Sequence, residues 1–166
     1  MLELYVYSIK IEGNDMAALS VLTPDIVNRQ GLVTEAVLGE VDPRQPDMTV
    51  DGFTPNDDFI NLLSKVIVEH APTMEKVQKQ AEKVQNGPVY VFDHRCIKDN
   101  RKPPFEDVIG WFGSRNGELL VDTWNASPSY KILSNDGPIQ LEPFLEEKLL
   151  EAISAAVENQ KPGAGG

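Results

Sequence analysis

The stretch VIGWFGSRNGELLVDTW, residues 108–124, decides the class of fold. Two runs rich in β-branched, aromatic and leucine residues, 108–114 and 119–124, flank Arg115, Asn116 and Gly117. Asn-Gly tolerates the left-handed backbone of a tight turn, so the stretch reads as a β-hairpin and its sheet as antiparallel. Within it, Gly110 and Gly113 mark a bulge or a close approach, and Trp111, Phe112 and Trp124 are expected as core or cross-strand aromatics. Upstream, residues 89–94 form a further strand, with Val89 and Val91 on one side and Tyr90 and Phe92 on the other.

Helices flank this sheet region. Before it, Met74, Val77, Ala81 and Val84 recur at helical spacing, and Asn86-Gly87 ends that helix. Earlier still, Phe59, Ile60, Leu63, Val66 and Ile67 make one broad apolar face of a helix over 55–70, started by Thr54-Pro55. After the sheet, residues 130–133 suggest a short strand. Leu145, Leu149, Ile153, Ala156 and Val157 then share one face of a helix over 143–158.

The amino-terminal part reads as strand 2–11, a turn at residues 12–15, a short helix capped by Thr23-Pro24 and stopped by Gly31, and strand 32–41. Residues 42–58 hold three prolines and five aspartates, with room for one short strand around 48–53. A mobile or functional loop is expected there. The expected class is α+β: a mostly antiparallel sheet of about five strands with three main helices packed on it. One domain is expected over 1–160, with a flexible tail at 161–166.

Composition bounds the function. The 166 residues carry a formal net charge of −11. Residues 1–58 hold 11 acids and 3 bases, residues 59–108 hold 7 and 8, and residues 109–166 hold 8 and 4. A broad nucleic-acid or anionic-membrane footprint is disfavoured, because both require clustered Lys and Arg. No apolar run approaches the roughly 18 residues of a membrane span. The first residues lack the basic and small-residue pattern of a signal peptide, and the single Cys96 excludes an internal disulfide, so a cytoplasmic setting is expected.

One segment gathers several reactive groups. Asp93, His94, Arg95 and Cys96 place an acid, a base, a guanidinium and a thiol in sequence, and Glu106 and Asp107 close the following loop. Asp93, His94, Cys96 and Glu106 are therefore the catalytic candidates of a small hydrolase or transferase; His94 and Cys96 would share a face if the strand continued. Arg95, Lys98, Arg101 and Lys102 form a basic cluster in an acidic chain. They are candidates for binding a partner protein or an anion, or for pairing with nearby acids. Paired metal-ligand spacings, calcium loops and phosphate-binding glycine loops are missing, so neither a metal nor a cofactor is expected. The leading expectation is a non-catalytic protein-binding module; the enzyme is the alternative.

Overall fold

A computed structural model of the protein describes residues 2–42, 44 and 52–160. The class is α+β, with four helices and three antiparallel sheets of four, three and two strands among the described residues. The antiparallel pairing matches expectation, but the strands are shared among three sheets rather than held in one. The tail 161–166 and most of the stretch expected as a strand around 48–53 lie outside the described residues. The chain divides into two compact units. One spans Ser64–Lys148; the other combines Leu2–Leu63 with the chain from Leu149.

In the second of these units, β1 (Tyr5–Ile11) and β2 (Asn14–Ser20) form a hairpin closed by Glu12 and Gly13, both at positive φ. The turn expected over residues 12–15 is shorter in the structure, and Asn14–Ser20, whose Asn, Asp and Ala are depleted in strands, is a strand. All seven pair with β1, and Ala17–Ser20 pair also with β3 (Val37–Val41) on the other side. Helix α1 (Pro24–Gln30) starts and stops as expected, with Thr23 as N-cap and Gly31 at φ 82°. Strand β4 (Phe53–Pro55) completes the order β1-β2-β3-β4. It crosses Gly39, where a Cβ would collide with the Phe53 ring and the Thr54 carbonyl.

Helix α2 (Asp57–His70) begins later than Thr54-Pro55 suggested. Those two residues pair with Glu40 and Gly39 in the sheet, and the cap passes to Asn56. Its Oδ1 accepts from the Asp58 amide, while its Nδ2 donates to the carbonyls of Thr34 and Val37. The anticipated apolar face is realised: Phe59, Leu63, Val66 and Ile67 are all buried.

In the unit 64–148, α3 (Glu75–Val84) leads into a sheet of β5 (Gly87–Phe92), β6 (Val108–Arg115) and β7 (Glu118–Ala126), in that order. The β6–β7 turn is Asn116-Gly117, at φ 52° and 82°, as the sequence requires. The turn is held to the end of α3, where Gly117 donates to the Gln85 carbonyl and the Asn116 amide to Asn86 Oδ1. The expected strand at 130–133 shifts to a small hairpin of β8 (Leu133–Ser134) and β9 (Gly137–Pro138), because Tyr130 turns inward to the site described below. Helix α4 (Pro143–Asn159) follows, with Leu145, Leu149, Ile153 and Val157 buried. No helix of the described residues is long and apolar enough to cross a membrane.

Candidate functional site

The loop after β5 is organised by one buried cation. The strand ends at Phe92, so residues 94–96 no longer alternate as a strand would. Asp93 continues the sheet by donating its amide to the Asp107 carbonyl at 2.7 Å, and its Oδ1 accepts from the Arg95 amide at 2.9 Å. That turn drives the Arg95 side chain inward. Its Nε donates to Asp107 Oδ1 at 2.8 Å and lies 3.6 Å from Asp93 Oδ1. The remaining donors reach the carbonyls of Ile132, Gly137, Glu106 and Lys131. Five N–H groups in a planar fork suit this task, because carbonyl acceptors converge on it from separate segments.

Asp93 is equally committed. Its Oδ2 accepts from the Tyr130 hydroxyl at 2.7 Å, and the Gln140 amide reaches both of its oxygens at 3.2 Å. Burial pushes the Asp93 carboxyl above its ordinary range, against the opposing pull of Arg95, the Tyr130 hydroxyl and the two amides. Burial and the adjacent Asp93 charge also hold the Tyr130 hydroxyl far above its usual titration range. Two carboxylates thus flank one guanidinium in the interior, and Asp107 Oδ2 has no hydrogen-bond partner there.

The sequence candidates are separated by this arrangement. Asp93, Arg95, Cys96 and Asp107 are buried, each at 1% exposure or less. The Cys96 thiol is pushed up to about 11, first by burial and then by Asp107 and Asp136, with Arg101 opposing. Glu106 is half-buried and pairs with Lys131 at 3.5 Å. Lys98, Arg101 and Lys102 are exposed, and Arg101 pairs with Asp136 at 2.9 Å and Asp99 at 3.7 Å. Arg95 is therefore not part of their surface. Tyr130, Gln140 and the carbonyls of residues 131–137 were not legible as members of the cluster; a lone tyrosine before a short apolar run carries no such signal.

His94 goes the other way. It faces a cleft of about 280 Å³ bordered by Met74, Val77 and Gln80 of α3 and by Val89, Tyr90, Val91 and Phe92 of β5. Lys76, Ala71, Ile97, Glu142 and Leu145 complete the lining. Burial lowers the His94 imidazole below its usual range, with Lys76 assisting and Glu142 and Asp93 opposing. The cleft reaches solvent past Lys76, Gln80 and Tyr90, all exposed. Side chains of a strand alternate between faces, so a cavity bordered by four consecutive residues runs along the edge of the strand.

That edge is the open one. β5 is the terminal strand of its sheet. The Asp93 amide points toward β6, and the His94 amide points the opposite way, to the Gln140 carbonyl at 2.7 Å. Backbone groups alternate sides along a strand, which directs the Tyr90 and Phe92 amides away from β6. The bulge does not disturb this, since its extra residue, Ile109, lies on β6. Pro88, which has no N–H to offer, stands on the same open side. No turn or loop among the described residues bonds to the Tyr90 or Phe92 backbone.

Among the described residues no group of three or more His, Cys, Asp or Glu is placed to hold a metal ion. In comparisons with known proteins, no family model, no curated protein and no solved structure matches this chain.

Proposed function

We propose that the protein is a non-catalytic protein-binding module that takes an extended segment of its partner into the cleft between α3 and β5. The observation that carries this reading is the cleft wall itself: the outer strand β5, with no strand paired to its open edge among the described residues, lines the cleft together with Met74 and Val77. Strand addition to such an edge supplies affinity through main-chain hydrogen bonds and selectivity through alternate side chains. The cleft, about 280 Å³, is at the small end of the ~300–1,000 Å³ typical of small-molecule sites.

The chemistry of the loop supports binding over the hydrolase or transferase alternative. Asp93 and Asp107 are spent on Arg95, and burial pushes the Cys96 thiol up to about 11, which leaves little thiolate near neutral pH. Lys98, Arg101 and Lys102 remain candidates for contacts beyond the cleft. A cytoplasmic setting belongs to this reading, since Cys96 is a free thiol. Nucleic acid is not the partner in it, given the net charge of −11.

The test is selection from a random-peptide display library, followed by residue-resolved amide hydrogen exchange with a selected peptide. The Tyr90 and Phe92 amides exchange readily in the free protein and become protected in the complex, while Val89 and Val91 are protected in both. Val77→Arg, which fills the cleft from the α3 side, abolishes binding. Peptides that protect some other surface, or a library that yields no binder, would overturn the reading.

A further inference from the structure

We propose that occupancy of the cleft is gated by a proton: the partner segment enters while the His94 imidazole is neutral and is released when that ring is protonated. This rests on the strand-addition reading above and adds its regulation.

Of the ionisable side chains that line the cleft, only the imidazole of His94 belongs to the type whose charge ordinarily changes between about pH 5 and 8. The residue is half-buried and shares the lining with the apolar side chains of Met74, Val77, Val91, Ile97 and Leu145. Its backbone holds it there. The His94 amide donates to the Gln140 carbonyl at 2.7 Å, and the His94 carbonyl accepts from the Lys98 amide at 2.9 Å. Gln140 is fixed in turn by its amide, which reaches both oxygens of Asp93 at 3.2 Å. Withdrawal of residue 94 from the cleft would break these bonds, so it keeps its place at the wall in either protonation state.

Three charges face the ring. Glu142, at the start of α4, and Asp93, just after β5, favour the imidazolium, and Lys76 of α3 disfavours it. Burial outweighs each of them and already holds the imidazole below its ordinary range in the free protein. An extended segment along the β5 edge deepens that burial, because its alternate side chains cover the cleft. Glu142 does not offset this. Its Oε2 accepts from the Phe144 amide at 3.0 Å, which ties the carboxylate to the start of α4. Among the described residues no ion pair engages the His94 ring, whereas the His70 ring lies 4.0 Å from Glu69. An imidazolium sealed under the segment would be a charge taken out of water without a partner, so the proton and the segment compete. By linkage, the segment depresses proton affinity at His94 by the same factor by which the proton weakens the segment.

The test uses a histidine-free, terminally blocked peptide from the display library, chosen because Val77→Arg abolishes its binding. The chain has two histidines, so the His94 ring is assigned in NMR spectra by comparison with His70→Gln and His94→Gln. Its titration is followed in the free protein and in the complex, and the midpoint falls on binding. Affinity measured by calorimetry weakens about fivefold or more as pH drops from about 8 to about one unit below the midpoint of the free protein. His94→Gln shows no such loss. Glu142→Gln, which keeps an oxygen to cap α4, removes a charge that favours the imidazolium and moves the onset of weakening to lower pH. Circular dichroism confirms that wild type and variants stay folded over the range. Equal midpoints in the free and bound protein, or a pH dependence of affinity that survives in His94→Gln, would overturn the gating alone. Failure to find any peptide that Val77→Arg abolishes would overturn the strand-addition reading beneath it.

Discussion

The Nε of Arg95 meets Oδ1 of Asp107 at 2.8 Å, with both side chains wholly shielded from water. Twelve positions apart in sequence, they bracket the entire loop between β5 and β6. The contact explains why this loop keeps a defined course although its regular structure is limited to two 3-10 turns, Ile97–Asp99 and Phe105–Asp107. Its two ends are tied to one guanidinium, and that guanidinium is tied in turn to the carbonyls of residues 131–137.

Arg95→Ala is therefore expected to behave as the loss of a buried ion pair rather than of a surface charge. It leaves the Asp93 and Asp107 carboxylates in the interior without their cation, at a cost of about 3–5 kcal/mol. Arg95→Lys restores a charge but not the fork of donors, and recovers only part of that stability. Urea unfolding measures both. A midpoint for Arg95→Ala equal to that of the wild type would contradict the arrangement.

The pH dependence of stability follows from Asp93. Its carboxyl is raised above the ordinary 3.8 by burial, so the folded chain holds this proton more tightly than the unfolded one. The stability linked to it is complete below the unfolded value and is lost as pH rises through the raised folded value. Relative to Asp93→Asn, wild type loses stability across that window above 3.8 and runs parallel to the variant at higher pH. Chemical denaturation at a series of pH values reads the difference; parallel curves throughout the acid range would remove Asp93 as the cause.

Cys96 is expected to be unreactive in the native protein. With its thiol pushed up to about 11, the thiolate is scarce near neutral pH. Alkylation by iodoacetamide should be much slower than for a free cysteine, whose pKa is about 8.5. In urea the same residue should label at the ordinary rate. Native labelling as fast as that of the unfolded chain would restore a catalytic role for this thiol.

The contact between β6 and β7 offers a steric test. A Cβ at Gly110 would meet the Asn125 carbonyl and lie 2.5 Å from the Trp124 ring. Gly110→Ala should therefore cost on the order of 1–3 kcal/mol through overpacking. Gly113→Ala, whose nearest neighbour is the Thr123 hydroxyl at 3.2 Å, should cost less. Thermal melts compare the two; an order reversed between them would place the pressure elsewhere in the sheet.

Where a signal is carried by neighbours in sequence, the amino-acid sequence alone determined the structure. Thr23-Pro24 with Gly31 bounds α1, Asn116-Gly117 turns the hairpin, and the spacing of Leu145, Leu149, Ile153 and Val157 builds the buried face of α4. These depend on backbone preference and on the period of one element. Tertiary structure decided the rest. Residues 14–20 are a strand because β1 pairs with all of them and β3 with the last four, and Asn56 caps α2 because Thr54 and Pro55 are drawn into a sheet. The direction of Arg95 was invisible for a similar reason. A guanidinium is placed by whichever acceptors can satisfy all its donors, and here they include the carbonyls of Lys131, Ile132 and Gly137, all more than thirty positions away. The open edge of β5 is likewise absent from the pattern of its side chains. Alternation records which face of a strand is buried, whereas an unpaired edge is a property of the backbone and of which strand happens to stand last in the sheet.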